Sequence, residues 1–168
     1  GIACSCMNSF VFLWIHDLGG STSVMGMSIA LNIVTEVPIF RYSGKLITVL
    51  GPRGVLYVGV AAYALRLGWY AIAWSPWSVL IAEPLHGVTF ALIWSNLATI
   101  GAKIAPVGLE ATTQGVLNLV FNGLGGVTGT LAGGFLYDRS PRLMFSALGG
   151  MMLSVLPLMF LSALCRAC

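Results

Sequence analysis

Gly54-Val55-Leu56-Tyr57-Val58-Gly59-Val60-Ala61-Ala62-Tyr63-Ala64-Leu65-Arg66-Leu67-Gly68-Trp69-Tyr70-Ala71-Ile72-Ala73 decides the class of this chain. The stretch carries a single charged side chain, Arg66. A helix rises 1.5 Å per residue, so about 20 apolar residues cross a hydrocarbon core about 30 Å thick. The run is continuous rather than alternating, which argues for a helix and against a strand of a membrane barrel.

Five further apolar stretches flank it, giving approximate spans of 2–16, 23–41, 54–73, 77–101, 112–136 and 142–164. Breakers separate them: Gly19-Gly20-Ser21, Gly44 with Gly51-Pro52, Ser75-Pro76, Pro106 with Gly108, and Ser140-Pro141. Pro38 and Pro84 fall inside spans, where prolines mark kinks. The first stretch is short and holds Ser5 and Asn8. It follows Gly1 with no basic leader region, so the chain is expected to be a fragment that begins inside a helix. The fold class expected is all-α: a single polytopic membrane bundle of six transmembrane helices, the first truncated.

Composition agrees. Of 168 residues, 58% are hydrophobic and 8% charged, against roughly 45–50% and about 25% in soluble domains. Thirteen charges cannot cover the surface of a soluble globule, and disorder needs the opposite balance. The surrounding partner is therefore the lipid bilayer. A net charge of +3 is too small to argue for nucleic acid. The cysteines, Cys4, Cys6, Cys165 and Cys168, sit only at the two ends and form neither a disulfide framework nor a zinc pattern. The last two have CxxC spacing without a redox-fold context and are expected to be inert, S-palmitoylation being the other reading.

Basic residues set the orientation. Arg41, Lys45, Arg53, Lys103 and Arg166 fall on one side of the expected topology, and Arg139 and Arg142 on the other. The positive-inside bias makes the first side cytoplasmic. Trp69, Tyr70, Trp74 and Trp77 cluster about the third connection, where an outer aromatic belt is expected.

Charges inside spans are costly, about 2.5–3.5 kcal/mol each at mid-bilayer, and therefore informative. They are Glu36, Arg66, Glu83 and His86. Glu36 shares a helix face with Ser28 and Asn32; it either serves the interior or merely reaches headgroup water. Arg66 lies eight residues from the outer end of its span, about 12 Å. Snorkelling covers part of that distance, and a carboxylate partner, Glu83 or Glu36, is the alternative. Glu83 and His86 are three apart, with Gly87, Phe90 and Trp94 continuing their face. That suits a polar cavity with aromatic walls, or else an outer-end pair wetted by bulk water. Asn118 and Asn122 lie near the face of Gly125, Gly129 and Gly133, a GxxxGxxxG row that reads as a tight helix seam or as one that slides. No HExxH, GxSxG or Walker-type loop occurs, and the ExxH pair lacks the further glutamates of a di-iron site. No metal, cofactor or enzymatic activity is expected.

Ser43-Gly44-Lys45-Leu46-Ile47, Leu50-Gly51-Pro52-Arg53-Gly54, Tyr63-Ala64-Leu65-Arg66, Glu83-Pro84-Leu85-His86-Gly87-Val88-Thr89-Phe90-Ala91-Leu92 and Gly133-Gly134-Phe135-Leu136-Tyr137-Asp138-Arg139 together resemble the C-terminal half of the major facilitator superfamily. The branch they resemble is the group of major facilitator superfamily domain-containing protein 6-like (associated-domain) proteins. The resemblance implies helices seven to twelve of a twelve-helix transporter. It makes Lys45 and Arg53 members of a cytoplasmic loop latch. The chain is also similar to the lactose-permease-like proton symporters, which pair an Arg in helix nine with a His in helix ten, as Arg66 and His86 do in position. Thr89 stands where that family carries its proton-bearing Glu; here the carboxylate is Glu83, three residues before the His.

The implied function is the C-terminal half of a secondary active transporter for a small polar solute. Glu36, Arg66, Glu83 and His86 would form a proton pathway. Asn32, Asn118 and Asn122 would bond the solute between Phe90 and Trp94. The partners implied are a missing N-terminal half or a second copy, together with the solute. The alternative is a membrane receptor or scaffold that keeps the fold without moving solute.

Overall fold

A computed structural model describes the backbone of residues 1–164 and the side chains of residues 1–160. Cys165, Arg166 and Cys168, with the CxxC spacing and one of the basic residues used for orientation, lie outside the described residues. The described chain forms five hydrogen-bonded helices. α1 is Ile2–Asp17 and α2 is Thr22–Ile72. α3 is Pro76–Ile104 and α4 is Glu110–Arg139, and α5 is Pro141–Leu164. α2, α3, α4 and the Pro141–Phe160 part of α5 are each long and apolar enough to cross a membrane. α1, with 16 residues, is shorter than a full crossing.

α2 runs through the connection expected over 42–53. Residues 42–50 are helical because little there breaks a helix. Gly44 costs only about 1 kcal/mol relative to alanine. The Ser43 and Thr48 hydroxyls satisfy themselves on the carbonyls of Phe40 and Gly44, both at 2.8 Å. The break comes at Gly51, whose φ of 71° and ψ of 160° belong to a region open essentially to glycine alone. Pro52 then starts a new rod at the position where its missing N–H does no harm. α2 is thus two rods, 22–50 and 52–72, meeting at one residue.

α3 begins with Ser75, whose hydroxyl accepts from the Ser78 N–H while Ser78 caps in return. It is not uniform. A tight 3-10 turn occupies Glu83–Leu85, and a wide π-helical turn follows over Gly87–Leu92. Pro84 explains the disturbance, since it has no N–H for the preceding carbonyl. α4 contains a second π-helical turn, Leu119–Leu124. Such turns recur at functional sites.

The core forms where α1, the 52–72 rod and α5 meet, around Met7, Ile15, Leu67, Tyr70, Met144 and Phe145. The Trp14 indole N–H donates to the Tyr70 carbonyl at 3.0 Å, and Phe145 sits edge-on to Tyr70 with ring centres 5.4 Å apart. Large apolar side chains such as Leu65 and Leu131 face outward, as lipid contact requires. Trp74 and Trp77 are exposed at the α2–α3 corner, with Trp69 against Trp74. Tyr70 does not join that belt. It is fully buried, because its hydroxyl is held between two charges inside the bundle.

Candidate functional site

The site grows from one side chain. Arg66 projects from the 52–72 rod and is 1% exposed, so every donor on its guanidinium must find a partner or carry a penalty. Its Nη2 meets Glu83 Oε2 at 2.7 Å, and both side chains are sealed. Its Nε donates to the Tyr70 hydroxyl at 2.7 Å, and that hydroxyl donates to Glu83 Oε1 at 2.7 Å. Arg66, Tyr70 and Glu83 therefore close a ring of three short bonds. Arg66 and Tyr70 are one turn apart on the same rod, so they present one edge to α3.

Nη1 points the other way. It lies 2.9 Å from His86 Nδ1 and 3.4 Å from the Thr89 hydroxyl. A guanidinium only donates, so Nδ1 accepts and the imidazole proton rests on Nε2. His86 is neutral in this arrangement. Its Nε2 lies 3.7 Å from Glu36 Oε2. This second pair is less enclosed, with side-chain exposures of 12% for His86 and 22% for Glu36.

The close approach of α3 to the 22–50 rod makes that contact possible. A Cβ on Gly87 would stand 2.6 Å from the Thr35 carbonyl oxygen, so only glycine fits. The 3-10 turn brings Glu83 and His86 onto the two ends of the Arg66 fork.

Glu36, Arg66, Glu83 and His86 are thus brought together. Phe90 stacks on His86 with ring centres 5.4 Å apart, and Trp94 stacks on Phe90 at 6.3 Å. Trp94 reaches Phe121 in the π-helical turn of α4 at 5.9 Å. Asn118 and Asn122 are exposed beyond it and bond to each other, Nδ2 to Oδ1, at 3.0 Å. Among the described residues no hydrogen bond or ion pair joins them to the four charged groups, and the aromatic ladder lies in the interval. Trp94 and Asn118 share a small cavity of about 50 Å³ with Gln114 and Leu117. Asn32 is half-buried with its Oδ1 unpartnered among the described residues, as is the Oγ of buried Ser28 one turn before.

The glycine row of α4 lies against α1. A Cβ on Gly125 would meet the Gly1 backbone at 2.9 Å, one on Gly129 the Ile2 carbonyl, and one on Gly133 the Cys6 sulfur and, at 2.9 Å, Phe10. Lys45 lies on the helical part of α2 with its ammonium 5.9 Å from the Tyr42 ring centre. Arg53 is in the first turn of the second rod. Neither forms an ion pair among the described residues.

Sequence reasoning missed Tyr70, filed with its tryptophan neighbours as a surface aromatic. The signal available was its spacing of four from Arg66.

Long apolar helices around a sealed Arg–Glu pair make this an integral multi-pass membrane protein. The chain matches the MFS_1 like family over residues 1–147 and belongs to it. Relatives include a major facilitator superfamily domain-containing protein 6-like protein A from Xenopus laevis, 28% identical over 139 residues. The mouse major facilitator superfamily domain-containing protein 6-like protein is 31% identical over 135 residues. The maltose permease of Geobacillus stearothermophilus is 29% identical over 134 residues. These alignments take in 83%, 80% and 79% of this chain. The chain spans 23% of the length of the first two relatives and 34% of the third. Some of these relatives carry transport names, the maltose permease among them.

Proposed function

We propose that this chain is the C-terminal six-span half of a secondary active transporter, and that it couples a small polar solute to protons. The two rods of α2, α3, α4 and α5 would supply five crossings, and α1, shorter than a full crossing, part of the sixth. The missing N-terminal half, or a second copy, would complete the cavity between rocking halves.

The observation that carries the reading is the charge count at Arg66. Glu36 and Glu83 bring two negative charges and Arg66 one positive, while His86 is neutral in the geometry seen. A low-dielectric interior disfavours the unbalanced negative charge, and a proton on the Glu36–His86 pair removes it. A proton arriving at Nδ1 turns that atom from acceptor into donor and expels the Arg66 Nη1 bond. Loading the pair is thereby linked to the position of Arg66. Asn32, Asn118 and Asn122 supply hydrogen bonds to solute hydroxyls, and Phe90 with Trp94 supplies the stacking wall. A sugar such as maltose is the first solute to try, given the permease among the relatives.

The test uses the longer protein of which we propose this is one half, in liposomes with an imposed pH gradient and an internal pH dye. His86→Ala and Glu36→Gln are expected to remove solute-driven proton movement. Asn118→Ala is expected to weaken solute dependence and leave the dependence on pH. Full proton movement in both charge variants refutes the coupling. The chain alone, as a proven monomer, is expected to move no solute.

One observation favours the second reading, a receptor or scaffold without transport: Arg66 and Glu83 are sealed rather than turned to a wet cavity. Under that reading His86→Ala and Glu36→Gln change nothing but stability.

A further inference from the structure

We propose that the end of the bundle at the Gly51 break binds a phosphate-bearing anion, with an anionic lipid headgroup as its source. A cavity of about 360 Å³ opens there, bounded by Gly44, Thr48, Gly51, Pro52, Thr99 and Lys103. It lies between the facing ends of the two α2 rods and the last turn of α3. Lys103 stands in its wall. Lys45 follows the lining residue Gly44, and Arg53 follows the lining residue Pro52.

Three features make this an anion site rather than a gap. First, the positive charge in and about it, Lys103 in the wall and Arg41, Lys45 and Arg53 on the neighbouring rods, is uncompensated. Arg41, Lys45, Arg53 and Lys103 form no ion pair among the described residues, whose ion pairs are His16–Asp17, Arg66–Glu83 and His86–Glu36. Residues 37–54 and 93–104 contain no Asp or Glu. Glu110, beyond α3, has Oε1 turned back to the Gly108 N–H at 3.2 Å. The counter-charge must therefore come from outside these segments.

Second, the backbone is bare where a ligand would approach. Nothing lies within 4 Å of the Cβ position at Gly44 or Gly51. The rod starting at Pro52 opens a new helix whose first amides lack partners in the same rod and whose dipole is positive at that end. Third, the wall is fixed. Asn96 is wholly buried and its Nδ2 donates to the Pro52 carbonyl at 2.9 Å, which pins the break against α3. Cavities between helix ends with basic walls are where anionic headgroups bind in membranes.

The experiment is native mass spectrometry of the purified 168-residue chain with phosphatidylglycerol or phosphatidylcholine at equal concentration. The expected result is preferential retention of phosphatidylglycerol. Lys103→Gln should lower it about fivefold, and Lys45→Gln with Arg53→Gln by more. Lys103→Arg should restore it, which separates charge from folding. The control Arg139→Gln with Arg142→Gln removes two charges elsewhere and should leave retention unchanged. Inorganic phosphate that binds alone and is lost in Lys103→Gln supports the same chemistry with a soluble source. Equal retention in Lys103→Gln and the parent, or equal loss in the control, overturns the proposal.

Discussion

Glu83→Gln removes the charge at the centre of the site. Gln keeps the shape of the side chain, but with its oxygen on the Tyr70 hydroxyl its NH2 faces Arg66 Nη2, so the charge and the acceptor for Arg66 are lost together. Two unit charges about 4 Å apart interact by about 4 kcal/mol at an effective dielectric of about 20. Removing one member of a buried pair costs about 3–5 kcal/mol, because the other charge stays buried without its partner. Arg66 is 1% exposed and cannot recover water. It keeps the Tyr70 oxygen and His86, so the lower end, about 3 kcal/mol, is expected.

The double variant Arg66→Met with Glu83→Gln removes both charges. Replacing a buried pair by apolar or neutral groups is often neutral or stabilising, so it should recover most of the loss. Unfolding of the purified chain in mixed micelles, followed by tryptophan fluorescence against SDS, measures both. A single variant within about 1 kcal/mol of the parent refutes the reasoning. So does a double variant less stable than the single one.

The remaining predictions use the same unfolding measurement. Gly51→Ala should cost about 1–3 kcal/mol by backbone strain alone, since its Cβ meets nothing. Gly44→Ala, equally open but helical, should gain about 0.5–1 kcal/mol, so equal effects at the two glycines refute the break. Gly129→Ala should cost about 1–3 kcal/mol by forcing α1 off α4 at the Ile2 carbonyl, whereas Gly150→Ala, with open space around it, should not destabilise. Tyr137→Phe loses the 2.6 Å bond to the exposed Asp17 carboxylate and keeps the stack on Phe10, so its cost should stay below about 1 kcal/mol.

The helices were legible because their apolar runs are long and their charges few. A 20-residue window without polar content has one stable answer in lipid. The extent of α2 was not legible, since Gly44 and Gly51 look alike as letters. One lies in ordinary helix; the other stands before Pro52, which disfavours the helical region for it, and takes φ 71°. The four interior charges could be named as candidates because each is expensive in lipid. Which carboxylate meets Arg66 could not be read, because the answer depends on the 3-10 and π-helical turns around Pro84. Those turns shift the angular positions of Glu83 and His86 away from a regular helix, and spacing arguments assume regularity. Tyr70 stayed hidden for a related reason: aromatic residues at span ends usually mark the interface, and nothing local showed that Arg66 needed a hydroxyl.

The two carboxylates are not equivalent, and Arg66 is why. Its Nη2 and Nε face the sealed ring with Glu83 and Tyr70, so a solvent proton reaching Glu83 must first open bonds of 2.7 Å inside an apolar seam. Its Nη1 faces His86, which has Glu36 and partial exposure behind it. In the proposed coupling, a change in solvent or solute reaches the guanidinium through His86. It loosens one end of the fork while the other stays anchored to α3. A sealed pair alone would be a rivet. In the proposed coupling, the partly exposed imidazole beside it is what lets the seam answer to protonation.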